Sequence, residues 1–251
     1  MILPKISIIT VCYNAESLIE RTIQSVLNQT YTNIEYVFID GKSTDNTVQV
    51  IENFIETYRK QEHSRIQIVL KSEPDKGIYD AMNKGLSLAT GDYVWFINAG
   101  DEIYEPTTLE GLMPHFQQRA DIVYGDTVYV NLSREVLGLR KKRPPKKFTW
   151  KSFRNGMTVC HQSILVSRKI APKYDLQYRV CADIDWVIIA MKNSKTVCNS
   201  QQILSRFLLG GFSKQHEKKS WKERFAIMRR HYGLFQTLLF HIIIAFRYVF
   251  K

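Results

Sequence analysis

The chain has 251 residues, of which 45% are hydrophobic, so it is long and apolar enough to fold around a core of its own. Lysine and arginine number 35 against 24 aspartates and glutamates, and the resulting formal charge of +11 favours an anionic partner. This composition excludes a mainly disordered chain. The four cysteines form no CxxC pair, which indicates neither a zinc site nor a disulfide framework and is typical of reduced thiols in a cytosolic protein.

Strand and helix patterns alternate through the first hundred residues, and the first of them begins so close to the amino terminus that no signal peptide is predicted. Strands are predicted at 6–11, 34–39, 66–70 and 93–97, of which 34–39 and 93–97 are expected to be buried, and helices at 18–27, at 47–58 and around Asn83. Such alternation is typical of right-handed crossovers and a mainly parallel sheet. The sequence therefore predicts an α/β fold in which residues 1–105 form a nucleotide-binding half.

The pattern is less regular in the second half of the chain. Strands are predicted at 122–130 and 163–166, and a helix at 184–191. Between the two strands, segment 140–147 is a basic, proline-interrupted loop. Basic runs of this kind are usually solvated, and no nucleic-acid-binding motif accompanies this one, so binding to nucleic acid is not expected.

The carboxyl-terminal segment 232–250 is almost wholly apolar, and Arg229, Arg230 and Lys251 flank it. An apolar helix with basic flanks is typical of an interfacial anchor on an anionic leaflet, and its length is borderline for a membrane span. The alternatives are a helix packed on the domain or one buried in an oligomer interface. We expect peripheral association with the inner face of the cell membrane.

A long polar and apolar stretch, 72–101, contains the most informative pattern. The strand at 93–97 ends in the turn Asn98-Ala99-Gly100-Asp101, which places Asp101 just beyond the carboxyl end of a strand. Ligands of open α/β sheets bind at that edge, and a carboxylate there can hold a divalent cation. A turn cap is the alternative role for Asp101.

Four segments of the chain resemble glycosyltransferase family 2. Members of that family have the GT-A fold, a Rossmann-like nucleotide-binding architecture, and invert the configuration at the anomeric carbon of the sugar. The four segments are 8–14, 38–45, 72–101 and 182–185. Their spelling is most similar to a subgroup found in bacterial exopolysaccharide and colanic-acid gene sets. The resemblance implies a domain over 1–215, with an acceptor-side half at 106–215, followed by a basic and apolar helical segment at 216–251.

The resemblance also implies which residues bind substrate. Donor and acceptor contacts are expected from Thr10, Tyr13, Asn14, Asp40, Lys76, Gly77, Asp80, Asn83, Asn98, Ala99, Gly100, His161 and His216. Where the family has the pattern Asp-X-Asp-Asp, this chain has Asn98-Ala99-Gly100-Asp101. The resemblance therefore implies that Asp101 is the ligand of the Mg²⁺ or Mn²⁺ that the family uses. Asp40 could instead serve a turn, the loop before Asn83 could be a solvated helix cap, and either histidine could be structural.

Asp183 is the expected general base. It occupies the position of the Asp in the family's Glu-Asp pair, with Ala182 in place of the Glu, and it begins a predicted helix whose dipole favours the ionised form. Asp185 is the second candidate, and a helix cap is the alternative role for Asp183.

Together these features predict a metal-dependent, inverting hexosyltransferase of bacterial surface polysaccharide synthesis. A UDP-sugar is the expected donor and a saccharide or lipid-linked molecule the expected acceptor, with an oligomer possible. The competing hypothesis is a noncatalytic nucleotide- or saccharide-binding protein on the same scaffold, motivated by the missing carboxylates at positions 98 and 100.

Overall fold

The computed structural model describes residues 3–62, 65–210 and 217–249. One nine-stranded sheet runs through them in the order β3-β2-β1-β4-β8-β6-β9-β5, with β7 paired to β6. The strands are β1 (Ile6–Cys12), β2 (Ile34–Asp40), β3 (Gln67–Ser72), β4 (Tyr93–Phe96), β5 (Glu102–Ile103), β6 (Ile122–Val130), β7 (Val136–Leu139), β8 (Ile164–Ser167) and β9 (Val197–Leu208).

Helices connect and cover these strands. They are α1 (Glu16–Leu27), α2 (Thr47–Arg59), α3 (Ile78–Leu88), α4 (Thr108–Gly111), α5 (Met113–Gln117), α6 (Ala182–Asn193), α7 (Glu217–Tyr232) and α8 (Leu234–Val249), with 3-10 helices at Trp150–Asn155 and His161–Ser163. Two buried apolar clusters lie on opposite faces of the sheet: Ile8 belongs to the cluster under α1 and α2, and Ile9 to the cluster under α3 and α6. This alternation follows from the two-residue period of a strand.

The first four strands of the order, β3, β2, β1 and β4, are all parallel. Every residue of β1 and β2 is buried, as expected for parallel strands covered by helices on both faces. The α/β prediction is therefore confirmed. Because parallel strands end at one edge, the segments that follow Cys12, Asp40 and Phe96 meet there.

Antiparallel strands enter in the second half of the sheet. β8 is antiparallel to both β4 and β6, while β9 is parallel to β6 and carries antiparallel β5 at the edge. The sequence did not predict β9, because its polar and apolar residues follow no clean alternation and its pairing with β6 shifts register at two points.

Residues 217–249 form two helices, the basic α7 and the apolar α8. Gly233 adopts φ +81° between α7 and α8, a conformation that only glycine takes without strain, and His241 of α8 contacts the Phe225 ring of α7 at 5.1 Å. Within the described ranges, none of the helices combines the length and apolar character that crossing a bilayer requires.

Candidate active site

The loops after β1 and β2 are tied together at the carboxyl edge of the sheet. The Asn14 backbone N–H donates to Ser43 Oγ at 2.9 Å, and the Thr44 N–H donates to Asn14 Oδ1 at 2.9 Å. Asn14 takes φ +46°, a left-handed conformation that asparagine tolerates better than most residues. Asn14 therefore shapes the loop, and the adjacent Tyr13 ring, 62% exposed, is left facing solvent.

Two residues that were expected to contact the donor, Asp40 and Thr10, are buried below this edge of the sheet. Asp40 is fully buried, and its carboxylate accepts from the Ser43 N–H at 3.0 Å and the Ser72 hydroxyl at 2.6 Å. Thr10 is also fully buried and donates to the Ile97 carbonyl at 2.7 Å. Both side chains are buried and hold the neighbouring loops in place, and their contact with the donor stays a prediction.

A different carboxylate occupies the cleft at this point. A β-carbon on Gly41 would stand 2.4 Å from Asp75 Oδ2 and 3.4 Å from the Tyr13 ring, so the Asp75 carboxylate lies where a side chain at position 41 would project. The sequence analysis did not identify Asp75, and the glycine at position 41 is the residue type that leaves room for it.

The loop that carries Lys76 and Gly77 is held by its neighbours. Asp75 Oδ1 accepts from the Gly77 N–H at 2.7 Å, and Asp80 Oδ2 accepts from the Lys76 N–H at 3.0 Å. The Arg179 guanidinium also donates to the Lys76 carbonyl. These bonds leave the Lys76 side chain exposed above the loop, and they make Asp80 a support of the loop.

Asn83 has a structural role as well. Its amide donates to the Tyr174 carbonyl at 2.9 Å and accepts from the Tyr174 N–H at 2.7 Å. This pair of bonds fastens α3 to the segment that leads towards α6.

The turn after β4 contains Asn98, Ala99, Gly100 and Asp101. Gly100 is buried with φ +98°, and its carbonyl accepts from Arg134 at 2.6 Å. Asn98 and Ala99 are half-buried, and Asn98 Oδ1 is a buried oxygen without a hydrogen-bond partner among the described residues. Asn98 is thus the residue of this turn with an acceptor available to a ligand.

Asp101 does not suit a metal ion. Only 6% of it is exposed, Oδ2 accepts from the Gln162 amide at 2.8 Å, and Oδ1 accepts from the Leu208 N–H at 3.1 Å. Burial raises its pKa to about 7, which further disfavours a free carboxylate. No group of three His, Cys, Asp or Glu side chains in the described part of the chain could hold a cation. The residues present therefore do not fit the divalent ion expected at Asp101.

Asp183 lies in the first turn of α6 and is half-buried. Burial raises its pKa to about 6, while hydrogen bonds with the Ile184 N–H and with Tyr79, whose hydroxyl lies 3.3 Å from Oδ1, oppose that rise, as does the charge of Arg224. A carboxylate with a pKa near the working pH is a good general base, because it is ionised yet basic enough to accept a proton.

The neighbouring carboxylate, Asp185, is occupied. It is 1% exposed, its Oδ1 lies 2.7 Å from His231 Nε2, and Oδ2 lies 3.6 Å from the Arg230 guanidinium. Asp185 thus joins α6 to α7, and this leaves Asp183 as the only candidate base of the two.

Helix α7 also holds the residues immediately before α6. Glu223, 8% exposed, accepts from the backbone N–H groups of Arg179 at 2.9 Å, Val180 at 2.8 Å and Cys181 at 3.0 Å. The sequence analysis missed this residue. Its one signal is an acid between Lys222 and Arg224 in a basic helix.

Of the two histidines expected in the site, the structure describes His161 alone. His161 is 5% exposed, its Nε2 lies 2.8 Å from the Tyr174 hydroxyl, and its ring contacts Phe96 and Trp186. Burial lowers its pKa to about 4, so the ring is neutral and packed in the core, and its contact with substrate stays a prediction. His216 lies outside the described residues.

The site thus combines loops at the carboxyl edge of parallel strands with a half-buried carboxylate in the first turn of a helix, on an α/β fold of the GT-A type. The family model of glycosyl transferase family 2 matches residues 7–174, and the chain belongs to that family.

Curated relatives agree with this assignment. A PGL/p-HBAD biosynthesis glycosyltransferase of Mycobacterium bovis is 29% identical over 238 residues, which cover 92% of this chain and 87% of the relative. An uncharacterized glycosyltransferase of Haemophilus influenzae is 27% identical over 250 residues, covering 98% and 97% of the two chains.

Solved structures share the fold at low identity. TarS 1-349 of S. aureus in complex with UDP aligns with a TM-score of 0.67 and 18% identity over 90% of this chain, which spans 63% of the TarS chain. The mannosyltransferase PcManGT of Pyrobaculum calidifontis, in complex with GDP-Man and Mn²⁺, aligns with a TM-score of 0.66 and 16% identity, over 90% and 64% of the two chains.

Proposed function

We propose that this protein is an inverting glycosyltransferase that moves a sugar from a nucleoside-diphosphate donor to a saccharide or lipid-linked acceptor in bacterial surface polysaccharide synthesis. The observation that carries the proposal is Asp183, a half-buried carboxylate with a pKa of about 6 at the start of α6. Family membership supports glycosyl transfer, and Asp183 is the residue suited to drive it.

The chemistry needs one proton acceptor. Asp183 accepts the proton of the acceptor hydroxyl, whose oxygen attacks the anomeric carbon of the donor sugar. The bond between that carbon and the diphosphate oxygen breaks, and the nucleoside diphosphate leaves with the electron pair. A single displacement of this kind inverts the anomeric configuration.

We expect a UDP-sugar as the donor at this edge. The exposed Tyr13 ring offers a face on which a base can stack, and Asp75 offers a carboxylate beside it. Uracil presents an N–H donor at its N3 position, whereas cytosine presents an acceptor there, so Asp75 favours uracil over cytosine. TarS structures with UDP and with UDP-GlcNAc support the same class of donor.

Replacement of Asp75 by Ala should weaken UDP binding by about 10- to 100-fold, the effect of losing one hydrogen bond to a charged group. Titration calorimetry with UDP and CDP measures this change. Glu73→Ala removes a carboxylate that pairs with Lys71 and Lys84, and it should bind UDP like the wild type. Equal UDP affinity in Asp75→Ala and the wild type would remove Asp75 from the donor site.

A thermal-shift panel of nucleotide sugars tests the proposed function, because a donor stabilises the folded protein by mass action. We expect stabilisation by UDP-sugars and release of UDP when an acceptor is added. Stabilisation without nucleotide release from any donor would favour the noncatalytic binding protein. The panel should be run with Mn²⁺ and with EDTA: PcManGT holds Mn²⁺, but the engaged Asp101 leads us to expect a response in both.

We also propose that α8 binds the surface of an anionic membrane. Phe235, Leu238, Leu239 and Ile242 recur at helical spacing and are 82%, 46%, 47% and 55% exposed. Arg229 and Arg230, both exposed, lie a few residues before α8 in the last turn of α7. An apolar helix face beside cations suits the interface of a bilayer with acidic headgroups.

The double substitution Leu238→Glu with Leu239→Glu should abolish co-sedimentation with vesicles made of phosphatidylglycerol and phosphatidylcholine in equal parts, since it places charge on the inserting face. Leu132→Glu is the control, because Leu132 is 76% exposed outside α8. Unchanged pelleting of the double variant would contradict membrane binding, and a shift to a smaller species in gel filtration would identify a second copy as the occupant.

A further inference from the structure

The carboxylates that usually carry a cation for the leaving group are absent or engaged, and a cluster of basic side chains lies on the other side of the site. Arg224 projects from α7, and Lys142 from the loop after β7. Arg224 is close enough to Asp183 and Cys181 for its charge to act on both. This cluster lies beside the proposed base.

The two cations converge on one point of the backbone. A β-carbon on Gly156 would lie 3.0 Å from Lys142 Nζ and 3.5 Å from Arg224 Nη2, so the two charges are no further apart than the sum of these distances. Gly156 has φ +87°, and a side chain there would be crowded by these two basic groups, which pack against its backbone. Two like charges at such a separation repel each other, and an anion between them would relieve the repulsion.

Two polar atoms in this region lack partners among the described residues. They are Arg224 Nε and Thr158 Oγ1, both buried. Arg224 also makes no salt bridge within the described ranges. The adjacent Glu223 does not pair with it, because its carboxylate accepts hydrogen bonds from backbone N–H groups. A buried guanidinium N–H without an acceptor indicates that a ligand supplies one.

The loops that present the cluster are fixed to each other. Arg140 donates to the carbonyls of Lys142 and Thr158 at 2.8 Å and to the carbonyl of Met157 at 2.7 Å. These bonds hold the backbone around Lys142 against the backbone that follows Gly156. The spacing of the cations is therefore built into the fold.

We infer that Arg224 and Lys142 form a subsite for a phosphate group of a substrate, over Gly156 and beside Asp183. The inference rests on the proposed function for its substrate. A planar guanidinium and an ammonium together match the oxygens of a diphosphate. That diphosphate belongs either to the sugar donor, where the cations would offset the charge of the leaving group, or to a phosphate-bearing acceptor.

Titration calorimetry with inorganic pyrophosphate tests the subsite without any turnover. Arg224→Gln and Lys142→Gln should each weaken pyrophosphate binding at least about tenfold, the loss of one charge-assisted hydrogen bond. Lys222→Gln on α7 and Lys141→Gln on the loop, both exposed, are the matched controls and should bind pyrophosphate like the wild type. Wild-type affinity in both Arg224→Gln and Lys142→Gln would overturn the inference, and Lys142→Gln alone decides it if Arg224→Gln does not fold.

The same variants distinguish the two sources. If the phosphate is the donor's, UDP affinity falls together with pyrophosphate affinity, and UDP displaces pyrophosphate. If it is the acceptor's, UDP affinity is unchanged and pyrophosphate binds to the UDP-saturated protein. If the variants lose pyrophosphate binding but the wild-type protein transfers sugar from no donor, the subsite is supported and the proposed function is contradicted.

Discussion

Asp183→Asn is expected to lower the rate of sugar transfer by about 10²- to 10⁴-fold, the usual contribution of a general base. The asparagine keeps the size of the side chain but cannot accept the proton of the acceptor hydroxyl. Initial rates of nucleotide release with saturating donor measure the effect.

The wild-type enzyme should show a matching pH dependence. Because burial raises the pKa of Asp183 to about 6, the carboxylate is mostly protonated below that pH, and activity should fall about tenfold per pH unit there and level off above it. The residual activity of Asp183→Asn should not show this fall at low pH.

Stability separates the chemical role of Asp183 from a structural one. A carboxylate whose pKa is raised in the folded state stabilises the fold at low pH, and this contribution is lost as the pH rises through about 6. Asp183→Asn should therefore melt at the same temperature as the wild type, or a higher one, at pH 7.5. A variant that loses activity only because it unfolds would contradict the assignment.

Glu223→Ala is expected to cost about 3 kcal/mol of unfolding free energy, because it leaves backbone N–H groups of Val180 and Cys181 buried without an acceptor. For a chain of this length, that corresponds to a fall of roughly 6–12 °C in the melting temperature. Thermal unfolding followed by circular dichroism measures it.

Activity should fall as well, because Glu223 fixes the residues that lead directly into Asp183. We expect kcat to drop while KM for the donor changes little, since the donor edge is formed by the loops after β1 and β2. Glu223→Gln retains an acceptor oxygen and should recover part of both losses, and Lys222→Ala on the same helix should leave both unchanged. A melting temperature and kcat equal to those of the wild type in Glu223→Ala would show that α7 does not position the base.

Much of the fold could be predicted from the sequence, because buried parallel strands are continuous apolar runs bounded by turn residues. The strand predicted at 122–130 coincides with β6, and the helix predicted to follow Asp183 is α6. β9 could not be found in this way: it is held by its partners along β6, and a strand placed by long-range pairing shows little periodicity of its own.

For the site, the sequence predicted which segments come together but not which side chains face the cleft. Asp40 and His161 lie in segments that the family resemblance identified, yet hydrogen bonds with Ser72 and Tyr174 hold them inside. Residue type alone does not determine the direction of a side chain. Glu223 escaped prediction because its three partners lie more than forty residues away.

The stereochemistry of donor hydrolysis tests the central claim most directly, because it requires no knowledge of the acceptor. The UDP-sugar that stabilises the protein most, carrying an α-linked sugar, is incubated with the enzyme, and the anomer of the newly released sugar is read by proton NMR before it equilibrates. Inversion with Asp183 as base predicts the β-anomer from the wild type and almost none from Asp183→Asn. Release of the α-anomer, or equal release of the β-anomer by Asp183→Asn, would contradict it.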